Sequence, residues 1–296
     1  MFPVAADSPV LVRLAFGLIV SAIIGLLAHR RASLSRSGVL GAIITGTLIF
    51  GFGGVVAGLL LIAFFVSSSL LSHFKENSAQ KRAAAERFDK GGRRDLGQAL
   101  ANGGGAAGLA ALSWLARDDP TLSAALYAAM VGALATANAD TWATELGVLS
   151  KIAPRLITRP GQRVAPGVSG GVTPMGTGAA LLGAAFIALC YWVFTLAGGA
   201  IGASGGATDI FAPNVALAAT AAGLIGSLFD SLLGATVQAM YYSEQRRKET
   251  EKAIERDGTP NRLIRGWPWL NNDWVNFLAS LVGATVAAAI TLSALR

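Results

Sequence analysis

Asp140-Thr141 and Asp230-Ser231 lie near the ends of two long apolar segments, in ANADTWATELG (137–147) and IGSLFDSLLGATVQ (225–238). A carboxylate at membrane depth costs at least about 2.5–3.5 kcal/mol on insertion scales, so each is expected to have a task there. Glu145 is a third acid close by in sequence, and Asn138, Thr141 and Ser231 flank the two aspartates. Such acids can hold Mg2+, which takes one or two carboxylates and fills its remaining positions with phosphate oxygens and water. The second ingredient is APGVSGGVTPMGTG (165–178), a Gly-rich loop that leads into an apolar segment. Its backbone N–H groups can close around an anion, and the helix N-terminus that follows adds partial positive charge. Ser169, Thr173 and Thr177 supply hydroxyls to it, and Arg155, Arg159 and Arg163 lie just upstream. The loop matches neither GxxxxGK[ST] nor GxGxxG, so by spacing alone a plain Gly/Pro connector stays open. Acids for Mg2+, an anion cradle and nearby cations together describe phosphoryl or nucleotidyl transfer. The two histidines, His29 and His73, sit at helix ends, and no zinc-type spacing or Ser-His-Asp arrangement is present. Cys190 is the single cysteine, which excludes a disulfide framework.

The elements that must position these groups are membrane helices. Charged residues make up 14% of the 296 and hydrophobic residues 53%, with a mean hydropathy of +0.54. A soluble globule carries about 25% charged residues, so this chain belongs in a bilayer. The 36 glycines suit closely packed helices. Apolar runs fall near 10–28, 38–51, 54–73, 96–116, 121–139, 174–198, 212–240 and 274–294. The expectation is an all-α polytopic membrane protein forming a single integral membrane domain, 1–296, with about eight transmembrane helices. Seven are possible because 38–51 is short of the roughly 20 residues a span needs, and a hinge at GFGG (51–54) would then make it tilted or re-entrant. The start, MFPVAADSPV, lacks a basic signal-peptide region, so the first run reads as a retained helix.

Loop charge sets the topology. Segments 29–37, 74–95, 150–165 and 241–273 hold 21 of the 24 Lys/Arg residues, while the alternate connections hold Arg117 and nothing basic in 199–211. Arg13 and Arg296 fall at outer helix ends. The positive-inside rule puts the four basic loops in the cytoplasm and both termini outside. The net charge of +7 is therefore a topology signal and calls for no nucleic acid. Loops 74–95 and 241–273 mix both signs of charge and read as amphipathic helices on the membrane surface, against membrane lipids.

With about 100° per residue, Ser227, Asp230, Ser231, Gly234, Gln238 and Tyr241 form one stripe. Asp95, Gln98 and Asn102 form another, Asp273, Asn276 and Ser280 a third, and Ser68, Ser72 and Lys75 a fourth. Asp140 and Glu145 diverge by about 140° on an ideal helix, so a shared site would require unwinding near Gly147. The alternative is that Asn138, Asp140, Thr141 and Glu145 bond neighbouring helices.

GRRDLGQALANGG (92–104), NADTWATELG (138–147), GVSGGVTPMGT (167–177), GSLFDSLLGATVQ (226–238) and NNDWVNFL (271–278), with HFKENSAQKR (73–82), resemble the signatures of an integral-membrane family. It is the family containing plant phytyl-phosphate kinase and animal transmembrane protein nineteen, and the motifs run from about residue 10 to 294. The resemblance implies transfer of a phosphoryl group from a nucleoside triphosphate, CTP or ATP, to an isoprenoid monophosphate. It implies that Asp140 and Asp230 bind Mg2+ with Glu145 as a third or water-mediated ligand. Ser169, Gly170, Gly171, Thr173, Gly176 and Thr177 would cradle the nucleotide phosphates. Lys75, Arg93 and Arg94 would hold the acceptor phosphate, Lys75 being also catalytic. Asp95, Gln98, Asn102, Asn138, Thr141, Ser231, Gln238, Asn272, Asp273 and Asn276 would complete the surroundings. Two other readings stand beside it: cytidylyl transfer from CTP to a lipid phosphate, and an ion-coupled transporter, for which paired acids and broken helices are also the mark.

Overall fold

The computed structural model describes residues 8–89, 92–200, 212–255 and 257–295. Most of the expected outer connection 199–211, together with Lys90, Arg256 and Arg296, lies outside them. The chain is mainly helical: α1 (Val10–Arg30), α2 (Arg36–His73), α3 (Ala79–Ala85), α4 (Leu96–Leu115), α5 (Pro120–Gly147), α6 (Pro174–Ala200), α7 (Ala212–Thr236) and α8 (Asn272–Ala294). Helix starts follow local polar signals. Ser35, Ser78, Asp119 and Asn271 each accept a first-turn backbone N–H, and Asp95 forms a reciprocal capping box with Gln98.

Six of the described helices are long and apolar enough to cross a membrane. One of them, α2, makes two passes. It has 38 residues and would span about 57 Å if straight, yet both its ends meet Arg94. Ser35 N donates to Arg94 O at 2.9 Å, and Arg94 Nη1 donates to Ser69 Oγ at 3.4 Å. The reversal is at Gly54, with φ 80° and ψ −173°. The arms 36–53 and 55–73 then run antiparallel, with Leu61 reaching Gly46 and the Phe50 ring lying on Gly58. The expected hinge at GFGG is thus present, one tight turn long. Arg13 on α1 fastens it, donating to Gly51 O and Phe52 O at 2.8 Å each. With α4, whose five glycines, Gln98 and Asn102 lower its hydropathy, the described helices pass along the bundle eight times.

The dihedrals of Gly54 belong to a region only glycine visits freely, and a Cβ there would touch nothing. Gly54→Ala should therefore cost only backbone strain, about 1–3 kcal/mol, read as a lower thermal midpoint in detergent.

α5 is the central helix, buried from Ala128 to Ala139. Small residues let its neighbours close on it. A Cβ on Gly132 would come within 2.5 Å of Ala287 on α8, and one on Gly223 of α7 within 2.9 Å of the Ala135 carbonyl. Thr136 Oγ1 donates to Gly132 O at 2.9 Å and lies against Ala222 O at 3.3 Å. Large apolar side chains on α1, α6 and α7 point outward instead, among them Ile19, Leu26, Leu182, Leu196 and Leu217. That inversion is the surface lipid requires.

All four basic loops gather at one end of the bundle, with the Gly54 turn, the start of α1 and the end of α8 at the other. The basic end departs from expectation in its local structure. Among its described residues, segment 241–273 forms no amphipathic surface helix: it folds into β4 (Met240–Ser243), β5 (Lys248–Thr250) and β6 (Arg262–Arg265), a sheet of order β5-β4-β6. Arg247, at φ 51°, makes the β4–β5 turn. A second small sheet joins β1 (Arg155–Leu156) to β2 (Arg159–Arg163) and β3 (Gly171–Val172) in the order β2-β1-β3. Only the short α3 realises the helix expected in 74–95. Exposed Trp267, Trp269 and Trp274 ring this end, as aromatic side chains do at a membrane–water boundary.

Candidate functional site

At the basic end, α2, α4, α5, α7 and α8 surround a polar cleft of about 510 Å3, roofed by α3 and the Gly-rich loop. Asp140 on α5 and Asp230 on α7 both line it and lie close enough to repel one another electrostatically. The expected convergence of the two acids from separate spans is therefore found. Ser227, one turn before Asp230, donates to Asp140. Asp230 Oδ2 and Asn276 Oδ1 are buried in this cleft without a hydrogen-bond partner among the described residues. Oxygen acceptors left without a donor cost about 1–3 kcal/mol each, and both face the same space. A cation would satisfy them, and the oxygen donors of Asp140, Asp230 and Asn276 are of the kind Mg2+ takes.

Glu145 does not join that set. The helix stays regular through Gly147, so Glu145 points across to α2 and α3, where it accepts from Ser72 Oγ at 2.6 Å and pairs with Lys81 Nζ at 2.5 Å. No group of three His, Cys, Asp or Glu side chains among the described residues is arranged to hold a metal. Gly147 has a different use: it lets α5 approach Gly176 of α6, where a Cβ would sit 3.3 Å from the Gly176 Cα. Lys75 does not line the cleft. The helical stripe from Ser68 and Ser72 ends with α2 at His73, and Lys75, at φ 52°, is exposed over the Phe74 ring. The lysine inside the cleft is Lys81, buried on α3, which also donates to Leu71 O at 2.7 Å.

The Gly-rich loop lies along the cleft as expected, and Ser169, Gly170, Gly171, Thr173, Gly176 and Thr177 all line it. Its side chains are already engaged. Thr173 Oγ1 accepts from Gly176 N at 2.9 Å, and Ser169 Oγ donates to Glu251 Oε1 at 2.9 Å. Glu251 also accepts from Gln238 Nε2 at 3.0 Å and from the Asp89 backbone N–H at 3.3 Å. This acid, absent from the sequence-based set, ties the loop to the end of α7 and to 74–95. Burial raises its pKa, with the Ser169 bond opposing. Gly170, at φ 82°, would bring a Cβ within 2.5 Å of Ala235 N. Gly170→Ala should destabilise the loop by more than backbone strain alone, about 1–3 kcal/mol, because its Cβ would also meet the Ala235 backbone, read as a lower thermal midpoint than that of Gly54→Ala.

The remaining predicted residues divide. Arg94, Gln98, Asn102, Thr141, Gln238, Asn272, Asp273 and Asn276 line the cleft. Arg93, Asp95, Asn138 and Ser231 do not. Arg93 reaches His29 and Leu34 O at 3.4 Å. Asp95 caps α4. Asn138 is fully buried, accepting from Ser67 and Ser68 and donating to Gly183 O at 2.7 Å, so it knits α2, α5 and α6. Arg94 is held between the Phe64 and Phe65 rings, and burial lowers its pKa to about 10, with Glu145 opposing. It stays charged at neutral pH.

The cleft thus combines a cation-seeking oxygen set, a strip of backbone amides and two fixed cations, all reached from the basic end. Comparison with known proteins agrees with an integral membrane protein. The family described as integral membrane protein DUF92 matches residues 19–284. The chain is 34% identical to Protein PGR of Arabidopsis thaliana over 281 residues, which cover 91% of this chain and 93% of that protein. It is 30% identical to an uncharacterized membrane protein of Methanocaldococcus jannaschii over 288 residues, 95% of each. No solved structure matches.

Proposed function

From the membership of this chain in the integral membrane family DUF92, we propose that it is a Mg2+-dependent kinase of isoprenoid monophosphates. It would transfer a phosphoryl group from CTP or ATP to a phytyl-like monophosphate and release the diphosphate. The observation that carries this reading is the pair of donorless oxygens, Asp230 Oδ2 and Asn276 Oδ1, beside Asp140 in a cleft that also holds Lys81 and Arg94.

Each part has a role its chemistry allows. Asp140, Asp230 and Asn276 would hold Mg2+, which supplies charge neutralisation to the donor phosphates when bound. Ser227 offers Asp140 a hydroxyl hydrogen bond that favours its carboxylate form. The Gly-rich loop offers backbone N–H groups to the nucleotide, with Glu251 holding the loop in place. Arg94 and Lys81 would bind the acceptor phosphate. That phosphate is already ionised, so the attacking oxygen needs no strong general base, and positioning can supply most of the rate.

An ion-coupled transporter would need access from both sides of the bilayer. Below the acids the bundle is closed by Met130, Leu134 and the alanines of α5, all fully or nearly fully buried. The test is turnover by the purified chain with radiolabelled CTP or ATP, Mg2+ and a prenyl monophosphate. Label in a prenyl diphosphate supports the kinase. A CDP-lipid with pyrophosphate release would establish the cytidylyl reaction instead, and no transfer under any combination would dismiss both.

A further inference from the structure

A second cavity, of about 70 Å3, lies beside the polar cleft and is almost wholly apolar. Ile24 of α1, Leu61, Ile62 and Phe65 of the second arm of α2, and Gly103 of α4 form much of its wall. The Thr45 hydroxyl on that wall is turned into its own helix, donating to Gly41 O at 2.9 Å. The recess exists because α2 folds back at Gly54: its two arms and α4 enclose it on three sides.

What makes the recess informative is its shared wall. Arg94, Gln98 and Asn102 line both this cavity and the polar cleft. Gln98 and Asn102 stand one turn apart on α4, and Arg94 lies just before its N-cap, Asp95. Gln98 has its side-chain oxygen held by Asp95 N at 3.1 Å, which leaves its amide N–H groups as the donors available to a ligand. Arg94 sits at the junction, its guanidinium carbon 5.8 Å from the Phe64 ring centre and 5.6 Å from that of Phe65. A cation and an amide donor on the polar side, with an apolar recess at membrane depth directly behind them, match one kind of molecule: an amphiphile with an anionic head and a hydrocarbon chain.

We propose that this recess receives the head-proximal part of the acceptor lipid's hydrocarbon chain, with Arg94 and Gln98 holding the phosphate at its mouth. The chemistry of the head group rests on the kinase reading above, whereas the path of the chain rests on the shared wall alone. The size of the recess has a consequence. It holds the beginning of a chain and no more, so the distal part runs on into lipid. Selectivity is therefore set by the first isoprene unit and not by total length.

The experiment uses the full chain in lipid nanodiscs and a four-unit isoprenoid monophosphate carrying a diazirine in its first unit. Photolabel is expected on peptides spanning 61–65 and 98–103. Excess unlabelled monophosphate should displace it, and the corresponding free alcohol should not. Ile62→Trp, which fills the recess from a partly exposed position, should weaken labelling and raise the lipid KM by about tenfold, the scale of a misfit in an apolar pocket. The nucleotide KM should stay unchanged. Ile62→Ala, which cannot overpack, should keep the label on the same peptides. Label confined to other helices, or label that the alcohol displaces equally well, would overturn the proposal. Correctly placed label without turnover of any prenyl phosphate would leave the chain site standing and remove the kinase reading. Turnover with label elsewhere would do the reverse.

Discussion

Asp230→Asn is expected to lower kcat by at least about 10³-fold, the scale seen when a preorganised group stabilising transition-state charge is lost, while leaving the protein as stable as before or more so. The two halves of that expectation come from the same geometry. In the protein alone, Asp230 has one oxygen without a donor and feels the negative charges of Asp140 and Glu251. Asparagine keeps the shape, removes the repulsion and brings an N–H2 group toward those acids. Nothing in the fold depends on the charge, so folding should gain by its removal. Mg2+ should reveal the difference directly. A ligand that binds only the native state raises the thermal midpoint with its concentration, so wild type should show a Mg2+-dependent rise and Asp230→Asn should show none. A variant that unfolds earlier than wild type, or that keeps both the Mg2+ shift and turnover, would remove Asp230 from the metal site. Asn138→Ala supplies the contrast. Its amide links three helices, so it should lose stability with the Mg2+ shift intact.

The sequence made the large-scale plan readable because few physical signals compete in a membrane chain. Charge alternation between loops sorted the connections to the two ends of the bundle, and the hydroxyl, Asp and Asn caps set where helices start. Asp140 and Asp230 meet because two spans running the same way placed acids at the same depth. Errors came where helical periodicity was carried past a helix end. Lys75 continues the Ser68–Ser72 row only if the helix continues, and the chain instead turns at His73. The cleft's lysine returns six residues later, after Ser78 restarts a helix. Glu145 shows the converse: its divergence from Asp140 was legible, and the helix did not unwind to remove it. Glu251 was hidden for another reason. KETEK reads as a solvated helix face by composition, and only the pairing of Tyr241 with Thr250 in a sheet carries Glu251 inward. That pairing joins residues across a turn whose left-handed residue, Arg247, is not one that announces a turn.

The Lys81–Glu145 pair separates a structural cation from a functional one. Lys81 is 8% exposed and Glu145 23%, so Lys81→Met leaves a mostly buried carboxylate facing Ser72 without its ion-pair partner. Breaking a fully buried pair costs about 3–5 kcal/mol; with Glu145 keeping some access to water, about 2–3 kcal/mol is the expectation, seen as a lower thermal midpoint. Activity should fall too, but a destabilised enzyme would show that for trivial reasons. The double variant Lys81→Met, Glu145→Leu resolves this, because replacing both charges with apolar groups removes the stranded carboxylate and should restore most of the midpoint. If Lys81 also holds the acceptor phosphate, the restored protein stays slow, with its lipid KM raised and its nucleotide KM unchanged. If Lys81 only neutralises Glu145, the double variant recovers activity together with stability. The proposed role requires the first outcome, since α3 has no other cation buried in the cleft to take the place of Lys81.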